Sequence, residues 1–495
     1  MLENLLKERF GFDSFRPGQK EVIEDVVACR DVFAMLPTGS GKTLCYLLSG
    51  TILGGLTLVV SPLLSLMEDQ VRQMKLMGEK KVAALNSFLS PAEKREVLSN
   101  LNTFRFLFTS PEMLQISSVT QALKKNGVQL FVVDEAHCVS QWGYDFRPDY
   151  LKLSHIKREL QSPPCLALTA TADKRVQADI IHRLDMNACQ THIYSVDRPN
   201  LAYQVETHPS LLSKYSRLVQ LVKQLEGPGL IYFSSREGAE MACELIRRET
   251  NGTNQVAFYH AGLEAEDRLF IQNQFLNDQL DVICSTNAFG MGLNKPNVRY
   301  VIHFHYPQHM NAYVQEVGRA GRDGKPSLAL TLVSPEDHLI PETMIERDFP
   351  REENLVKILS QVMEKGWSTD AFYHVTLLNG GSETAARFMG EQMVALDPQD
   401  LSFNIDYLKR EIEKRKRQKY YDLGTIRTWL KTDTCRRNLV LTFYDEELVT
   451  KHDPCCDVCG FDLHFFDKSE LPSEKKTAPL LEPWEQRLYS LMHKE

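Results

Sequence analysis

The sequence lacks the features that mark membrane and secreted proteins. No stretch approaches the roughly 20 consecutive apolar residues that a membrane-spanning helix needs. The N-terminus, Met1-Leu2-Glu3-Asn4, carries an acid early and has no charged segment followed by an apolar one, which is the pattern of a signal peptide. We therefore expect a cytoplasmic protein with no membrane partner.

An excess of positive charge is also missing, and so are internal repeats. The 57 basic and 65 acidic residues give a net charge of −8, which disfavours a histone-like coat on nucleic acid but allows a local basic groove. The 495 residues are 43 % hydrophobic and 25 % charged, as in ordinary soluble proteins. At roughly 100–200 residues per domain, this length predicts about three domains.

Two series of short, continuous apolar runs predict two parallel sheets covered by helices, an α/β fold. The first series comprises residues 32–36, 56–60, 106–108, 130–133 and 166–168. The second comprises residues 230–233, 256–258, 282–284, 301–303 and 328–333. The segment Asp197-Arg198-Pro199-Asn200 lies between the two series, and we interpret it as a linker.

Changes in this pattern predict the domain boundaries. We expect two α/β domains at 1–196 and 197–340, because each contains one series of strands. Helix-period segments around a Gly380-Gly381 turn predict a helical, winged-helix-like insert at 341–408. A helical hairpin with a cysteine-rich module is expected at 409–467, followed by a loosely packed tail at 468–495.

A glycine-rich loop after the first apolar run is typical of nucleotide-binding proteins. It reads Pro37-Thr38-Gly39-Ser40-Gly41-Lys42-Thr43. The glycines let several N–H groups face one phosphate, Lys42 reaches the terminal phosphates, and the Thr43 hydroxyl holds Mg²⁺. Leu36 stands where the strict pattern has glycine, so the motif alone is imperfect. ATP and Mg²⁺ are the expected ligands.

The run 130–133 ends in two carboxylates within Asp134-Glu135-Ala136-His137. We expect Asp134 to bind Mg²⁺ directly or through water, and Glu135 to position and deprotonate the attacking water. His137 completes this predicted catalytic group. An acid pair that merely caps a helix is the alternative. Thr169 and Thr171 follow a later strand, and their hydroxyls are placed to bond the Asp134–His137 loop, unless they form an ordinary strand end.

Two arginines in the second domain complete the predicted nucleotide site. Arg319 and Arg322 are three residues apart, a spacing that predicts one helical face. If the second domain docks on the first, both guanidinium groups point at the γ-phosphate, where such a group accelerates phosphoryl transfer by about 10³–10⁵. A solvated basic helix is the alternative.

Nucleic-acid contacts are predicted in three places. The aromatic segment after His137 includes Gln141, Trp142, Phe146 and Arg147, and bases stacked on such rings gain about 1–3 kcal/mol each. The alternative is a set of core anchors. Ser61 and the loop around Thr286 are expected to contact phosphates. The charged run Lys409–Lys419 is interpreted equally as a duplex-facing helix or a solvated face.

In this order, these motifs resemble the superfamily-two helicases with two RecA-like domains, and more specifically the RecQ family of DNA helicases, most like the short bacterial form called RecS. The resemblance covers roughly residues 10–460. It is carried by the following segments: Phe10–Gln19, the glycine-rich loop, Ser61-Pro62-Leu63, Asp134–Tyr150, Tyr259–Leu263 and Gly318–Gly324.

The resemblance implies further roles. Gln19 would read the adenine edge with support from Arg16, and Phe12 would stack on adenine without the hydroxyl usual in the family. It also implies 3′-to-5′ unwinding of DNA in recombination and repair, a single-stranded-DNA-binding protein as partner, a monomer, and association with the nucleoid.

The cysteines at the end of the chain predict a zinc site. Seven of the eleven cysteines are scattered and are interpreted as reduced thiols. The other four are Cys435, Cys455, Cys456 and Cys459, enough for a tetrahedral structural Zn²⁺ site. The resemblance implies a zinc module here, with the later cysteines spaced more widely than in this chain. Free thiols, or three cysteines with His452 or Asp457, are the alternatives.

Three functions are consistent with these features. A DNA helicase driven by ATP is expected first. An ATP-dependent translocase or annealing factor that does not unwind comes second. A nucleic-acid-binding scaffold without ATPase activity comes third, and the intact Lys42, Asp134, Glu135 and Arg322 argue against it.

Overall fold

The computed structural model describes residues 2–62, 64–140, 148–186, 188–290 and 295–468. Two parallel sheets flanked by helices are followed by a helical region and a small cysteine module. The predicted α/β fold with two RecA-like domains is therefore confirmed. Among these residues, no helix combines the length and apolarity that crossing a membrane requires.

The first domain contains a seven-stranded parallel sheet. Its elements are α1 (Leu2–Phe10), α2 (Gln19–Val27), β1 (Val32–Met35), α3 (Lys42–Leu53), β2 (Thr57–Val60), α4 (Leu64–Leu76), β3 (Val82–Leu85), α5 (Pro91–Ser99), β4 (Phe106–Thr109), α6 (Ser117–Asn126), β5 (Leu130–Val133), α7 (Leu153–Glu159), β6 (Cys165–Thr169), α8 (Lys174–Arg183) and β7 (Gln190–Ile193). The strand order is β3-β4-β2-β5-β6-β1-β7. The five central strands are buried along their whole length, because helices cover both faces.

The second domain repeats this architecture with six strands. Its elements are β8 (Leu201–Thr207), α9 (Leu211–Gln224), β9 (Gly229–Tyr232), α10 (Arg236–Glu249), β10 (Val256–Tyr259), α11 (Ala265–Leu276), β11 (Val282–Ser285), β12 (Tyr300–His303), α12 (Met310–Val317) and β13 (Ser327–Val333). The strand order is β10-β11-β9-β12-β13-β8. The linker Asp197–Asn200 leads directly into β8, an edge strand that pairs with β13 over seven residues.

The remainder of the described chain is helical. Its helices are α13 (Leu339–Arg347), α14 (Glu352–Lys365), α15 (Thr369–Leu378), α16 (Glu383–Gln392), α17 (Leu401–Leu430) and α18 (Arg436–Phe443). Residues 341–408 contain helices and no strand, so the α15–α16 helix-turn-helix is present without a wing. Its own small core includes Leu359, Phe372, Phe388 and Leu408.

Two predicted boundaries are wrong, because continuous helices cross them. Helix α17 runs through 408/409, and α13 runs through 340/341. The charged run Lys409–Lys419 is the middle of α17, where opposite charges at helical spacing support a helix and do not end it.

One apolar core extends from both sheets into the C-terminal helices. Trp429 of α17 is 1 % exposed and packs on Tyr313 of α12, with ring centroids 4.4 Å apart. It also meets Tyr203 of β8 edge-on at 6.5 Å. The end of α17 is thus fixed to the second sheet.

Candidate nucleotide cleft and cysteine centre

The glycine-rich loop connects β1 to α3 at the carboxyl edge of the first sheet. Gly39 and Gly41 have φ of +85° and +78°, in the left-handed region that a side chain would strain. Helix α3 begins at Lys42, so its N-terminal N–H groups face the loop. This is the conformation that the sequence motif predicts for a phosphate-binding loop.

Gln19 and Arg16 donate hydrogen bonds to the main chain of this loop. The buried Gln19 amide donates to the carbonyls of Ser40 (2.8 Å) and Gly41 (3.1 Å), and its oxygen accepts from the Arg16 N–H at 2.9 Å. The Arg16 guanidinium donates to the Gly39 carbonyl. Phe12 is 50 % exposed nearby in sequence. In this structure Gln19 and Arg16 therefore fix the loop backbone, and the adenine contacts of Phe12, Arg16 and Gln19 stay predictions.

The two carboxylates lie at the end of β5, next to the loop. The Asp134 N–H donates to Val60 of β2 at 2.9 Å, and Asp134 accepts from the Glu135 N–H at 3.0 Å. Burial and the Glu135 charge raise the pKa of Asp134 to about 7, while Lys42 opposes the shift. Lys42 and Asp134 are thus near neighbours, and the oxygens of Asp134 and Thr43 are a donor set that suits Mg²⁺.

His137 connects the loop after β5 to β6, the next strand of the sheet, through a hydrogen bond. His137 Nδ1 lies 3.1 Å from Thr169 Oγ1 at the end of β6 and 3.4 Å from a Glu135 oxygen. The predicted contact between a threonine hydroxyl and the Asp134–His137 loop is confirmed for Thr169. Thr171 contributes main-chain groups instead, since its N–H donates to Thr169 Oγ1 at 3.4 Å.

Arg319 and Arg322 do not lie on a helical face, so that prediction is wrong. Helix α12 ends at Val317, and both arginines occupy the turns that follow, because Gly318 closes the helix and Gly321 takes φ of +59°. The two side chains consequently point to different places.

Arg322 reaches the nucleotide loop, whereas Arg319 remains within its own domain. A Cβ placed on Gly39 would lie 3.3 Å from Arg322 Cγ. Desolvation and the charges of Arg319 and Arg198 lower the pKa of Arg322 to about 9, and the Glu135 carboxylate opposes the shift. Arg319 is 4 % exposed and donates to the Gly290 carbonyl. Arg322 of the second domain and Glu135 of the first therefore face one cleft.

Arg198, in the linker, joins both sides of that cleft. Its guanidinium donates to Thr38 O at 3.0 Å, in the glycine-rich loop. It also donates to Gly318 O (3.2 Å), Ala320 O (3.1 Å) and Gly321 O (2.6 Å), in the turn that carries Arg322. The sequence alone identifies Arg198 only as part of a linker, because main-chain carbonyl partners leave no side-chain motif.

Of the residues predicted to contact DNA, the structure describes Ser61 and Thr286. Ser61 follows β2, but its side chain is 1 % exposed and its N–H donates to Thr109 of β4 at 3.0 Å. The residue therefore continues the strand pairing, and the phosphate contact of its hydroxyl stays a prediction. Thr286 is half-buried in the loop after β11. Gln141, Trp142, Phe146 and Arg147 lie outside the described residues.

The four C-terminal cysteines converge on one point. Their sulfur atoms all lie within 4.8 Å of one another, and the Cys435 and Cys455 sulfurs are 3.7 Å apart. Four thiolates about 2.3 Å from a central Zn²⁺ ion would be separated by about 3.8 Å, so the cluster fits tetrahedral zinc. Adjacent Cys455 and Cys456 both belong to it.

The two alternative zinc ligands are engaged elsewhere. His452 Nε2 lies 3.2 Å from Asp197 of the linker. Asp457 accepts from the Arg436 guanidinium at 2.6 Å and from the Val205 N–H of β8 at 3.1 Å. The structure therefore favours a site of four cysteines over one completed by His452 or Asp457.

Comparison with protein families identifies both sheets. Residues 16–180 match the model described as DEAD/DEAH box helicase, and residues 213–324 match the helicase conserved C-terminal domain. Among solved structures, the DUF1998 helicase MrfA bound to DNA aligns with a TM-score of 0.59 at 20 % identity, covering 70 % of this chain and 53 % of that one. The DEAD-box helicase Mss116 bound to single-stranded RNA gives 0.56 at 17 % identity, covering 81 % and 92 %. These structural likenesses concern the fold alone.

Comparison with individual proteins is more specific. The probable ATP-dependent DNA helicase RecS of Bacillus subtilis is 44 % identical over 494 residues, which is 99 % of this chain and 97 % of that protein. The ATP-dependent DNA helicase RecQ of Haemophilus influenzae is 40 % identical over 337 residues, 68 % of this chain and 54 % of that protein. With such similarity over nearly its full length, the chain belongs to the RecQ family of superfamily-two helicases.

Proposed function

We propose that the protein is an ATP-dependent DNA helicase that moves along single-stranded DNA in the 3′-to-5′ direction and unwinds duplexes during recombination and repair. The observation that carries the ATP-driven part is the approach of Arg322, from the second domain, to Gly39 and Glu135, in the first. Hydrolysis at such a cleft requires both domains, so nucleotide turnover is coupled to their relative movement.

The cleft supplies each group that ATP hydrolysis needs. Lys42 and the N-terminus of α3 bind the β- and γ-phosphates, and Glu135 orients and deprotonates the attacking water. Arg322 stabilises the charge that develops on the γ-phosphoryl group. Asp134 and Thr43 would hold Mg²⁺, which supplies neutralisation of the phosphate charge when bound. His137 transmits the state of this site to Thr169 through their hydrogen bond.

DNA binding is proposed at the carboxyl edges of both sheets. The loop after β11, with Thr286, lies at this edge of the second domain, and residues 141–147 follow the Asp134–His137 loop in the first. Trp142, Phe146, Arg147 and Gln141 are proposed to stack on and bond the single strand. Their position in sequence directly after the catalytic carboxylates would let DNA binding influence hydrolysis.

The cysteine cluster is proposed to hold one structural Zn²⁺. The ion would join Cys435, at the N-terminus of α18, to the Cys455–Cys459 turn. A monomeric state, association with the nucleoid and a single-stranded-DNA-binding partner are proposed by resemblance to the family.

Strand separation tests the proposal directly. Fluorescent duplexes of DNA or RNA with a 3′ or a 5′ single-stranded tail are mixed with ATP, Mg²⁺ and the protein, beside a Lys42→Ala variant. We expect the protein to separate only 3′-tailed DNA, and the variant to separate none. ATP hydrolysis stimulated by DNA without strand separation would indicate the translocase alternative, and unwinding of RNA alone or by the variant would contradict the proposal.

A further inference from the structure

We propose that Arg198 is a positioning residue for ATP hydrolysis, which clamps the glycine-rich loop to the turn bearing Arg322 and is itself held in place by the cysteine module. This inference rests on the proposed ATPase function. It concerns a residue of the linker and not one of the groups that contact nucleotide.

The clamp consists of one side chain and four main-chain acceptors. Both terminal nitrogens of Arg198 are used, with Thr38 O on one side of the cleft and the carbonyls of 318, 320 and 321 on the other. A planar guanidinium with its donors in a fixed fork can serve all four acceptors, whereas the single nitrogen of an ammonium reaches only some of them. The clamp therefore fixes the distance between the loop and the Arg322 turn.

The two surfaces that it joins are already close. A Cβ on Gly318 would lie 3.1 Å from the Thr38 Cβ and Oγ1 atoms, and a Cβ on Gly39 would lie 3.3 Å from Arg322. Asn200 adds to the clamp by donating to the Gly321 and Lys325 carbonyls, each at 2.8 Å. Small shifts of the Arg322 turn would thus move its guanidinium away from the γ-phosphate position.

The cysteine module fixes the linker on which Arg198 stands. Arg437 is 1 % exposed and donates to Asp197 Oδ1 at 2.5 Å, to the Arg198 carbonyl at 2.8 Å and to the Leu201 carbonyl. Glu446 accepts from the Val196 N–H at 3.1 Å, and His452 contacts the second Asp197 oxygen. Arg437 lies two residues after Cys435 in the chain. The cysteine cluster is therefore linked to the ATP cleft through Arg437, which bonds the linker at Arg198, and through Arg198, which bonds Thr38 of the glycine-rich loop.

Measuring kcat and the KM for ATP separately tests the role of this clamp. Arg198→Gln is expected to lower kcat for DNA-stimulated ATP hydrolysis by about 100-fold, since misplacement of a catalytic group by about 1 Å has this effect. The KM for ATP should change less than about threefold, because the loop, Lys42 and α3 are intact. Arg198→Lys, which restores some of the hydrogen bonds, should recover part of kcat. The thermal unfolding midpoint should fall by only a few degrees as these carbonyls lose a donor, so the variant stays folded at the assay temperature.

A matched control and a weaker variant sharpen this test. Lys174→Gln removes another cation that connects the first domain to the C-terminal region, through Asp445 at 3.4 Å, from an exposed position on α8. Its kcat should equal that of the wild type. Asp197→Asn, which weakens the hold of Arg437 and His452 on the linker, should lower kcat by about tenfold.

Small-angle X-ray scattering provides a readout that does not require activity. With and without a non-hydrolysable ATP analogue, Arg198→Gln should have a larger radius of gyration than the wild type, because its domains are no longer clamped. Equal radii, unchanged kcat, or a loss of kcat that is explained by unfolding of the variant at the assay temperature would overturn the inference. An inactive wild type with a difference in radius between the two proteins would contradict only the proposed ATPase function.

Discussion

The nucleotide cleft and the cysteine module share one linker, but they differ in how they are packed. In the cleft, Arg198 donates to the main chain of the glycine-rich loop, and Arg322 lies beside Gly39 of that loop. In the module, the Tyr203 N–H of β8 donates to the Cys455 carbonyl at 3.1 Å, and buried Arg436 and Arg437 form ion pairs. The module therefore packs directly on the edge of the second sheet.

We therefore expect residues of the cleft to affect mainly the rate of ATP hydrolysis, and residues of the cysteine module to affect mainly the stability of the fold. A change in the cleft should impair hydrolysis more than it affects the fold, since Arg198, Arg322 and Glu135 are partly exposed. A change in the module should unfold the module first, because buried charges that lose a partner are costly. The following experiments test that division, beginning with the largest expected effect.

Removal of the Lys42 ammonium should abolish turnover without affecting the fold. Lys42→Ala is expected to lower kcat for ATP hydrolysis by about 10³-fold, because a donor aimed at the developing phosphate charge is lost. Its thermal unfolding midpoint should match that of the wild type. Lys20→Ala, at an exposed lysine paired with Glu3 at 2.6 Å, is the control and should hydrolyse ATP normally. A Lys42→Ala protein that melts earlier would contradict the division.

Loss of a cysteine ligand should have the opposite result. We expect about one zinc per chain by plasma mass spectrometry, in keeping with four thiolate ligands per ion. Cys456→Ser should release the zinc and lower the unfolding free energy by about 4 kcal/mol, the range reached when a structural metal is lost. Cys29→Ser alters an exposed thiol and should change neither quantity. Full zinc content in the Cys456 variant would show that three cysteines suffice.

Arg319 and Arg322 lie in the same turn, but we expect one to affect stability and the other to affect ATP hydrolysis. Arg322→Gln should lower kcat by about 10³-fold with an unchanged unfolding midpoint, because its guanidinium faces the phosphates. Arg319→Gln should instead destabilise the second domain by about 1–3 kcal/mol, since the Gly290 carbonyl loses its buried donor. Chemical denaturation and steady-state hydrolysis measure both. Identical behaviour of the two variants would mean that both arginines act on the nucleotide.

How far the sequence predicts this molecule depends on burial and on the kind of partner. The central strands were predicted because continuous apolar runs mark strands covered on both faces. The missed strands β3, β7 and β8 are all sheet edges, and β7 is largely exposed, so no apolar run marks it. These three strands depend on their pairing partners, which a local pattern does not contain, whereas the edge strand β10 is mostly buried and is marked by the apolar run 256–258.

The candidate site shows the same limit. Lys42, Asp134, Glu135 and Arg322 were predicted individually because each follows a strand or helix in a short motif. The different destinations of Arg319 and Arg322 depend on the turn after α12, and the clamp of Arg198 depends on carbonyls 120 to 160 residues away. Both are consequences of domain docking, which the motifs suggest but do not specify.

The smallest effects are expected on α17, whose charged run had two interpretations. Three of its cations point inward, with Arg415, Lys416 and Lys419 paired to Glu391, Glu346 and Asp348 at 3.2, 2.5 and 2.6 Å. Lys416→Gln with Lys419→Gln should therefore weaken the attachment of the insert by about 0.5 kcal/mol per pair, as for partly exposed ion pairs.

The outward cations of α17 share their face with acids, which favours a solvated surface over a grip on duplex phosphates. Arg417 pairs with Glu413 at 3.7 Å, and Lys414 pairs with Glu411 at 3.2 Å. The triple variant Arg410→Gln, Lys414→Gln, Arg417→Gln should keep the wild-type stability, and the slope of log affinity for duplex DNA against log salt should change by less than about one. Since each phosphate contact contributes about one to that slope, a decrease of about three would instead make this helix a duplex-binding surface.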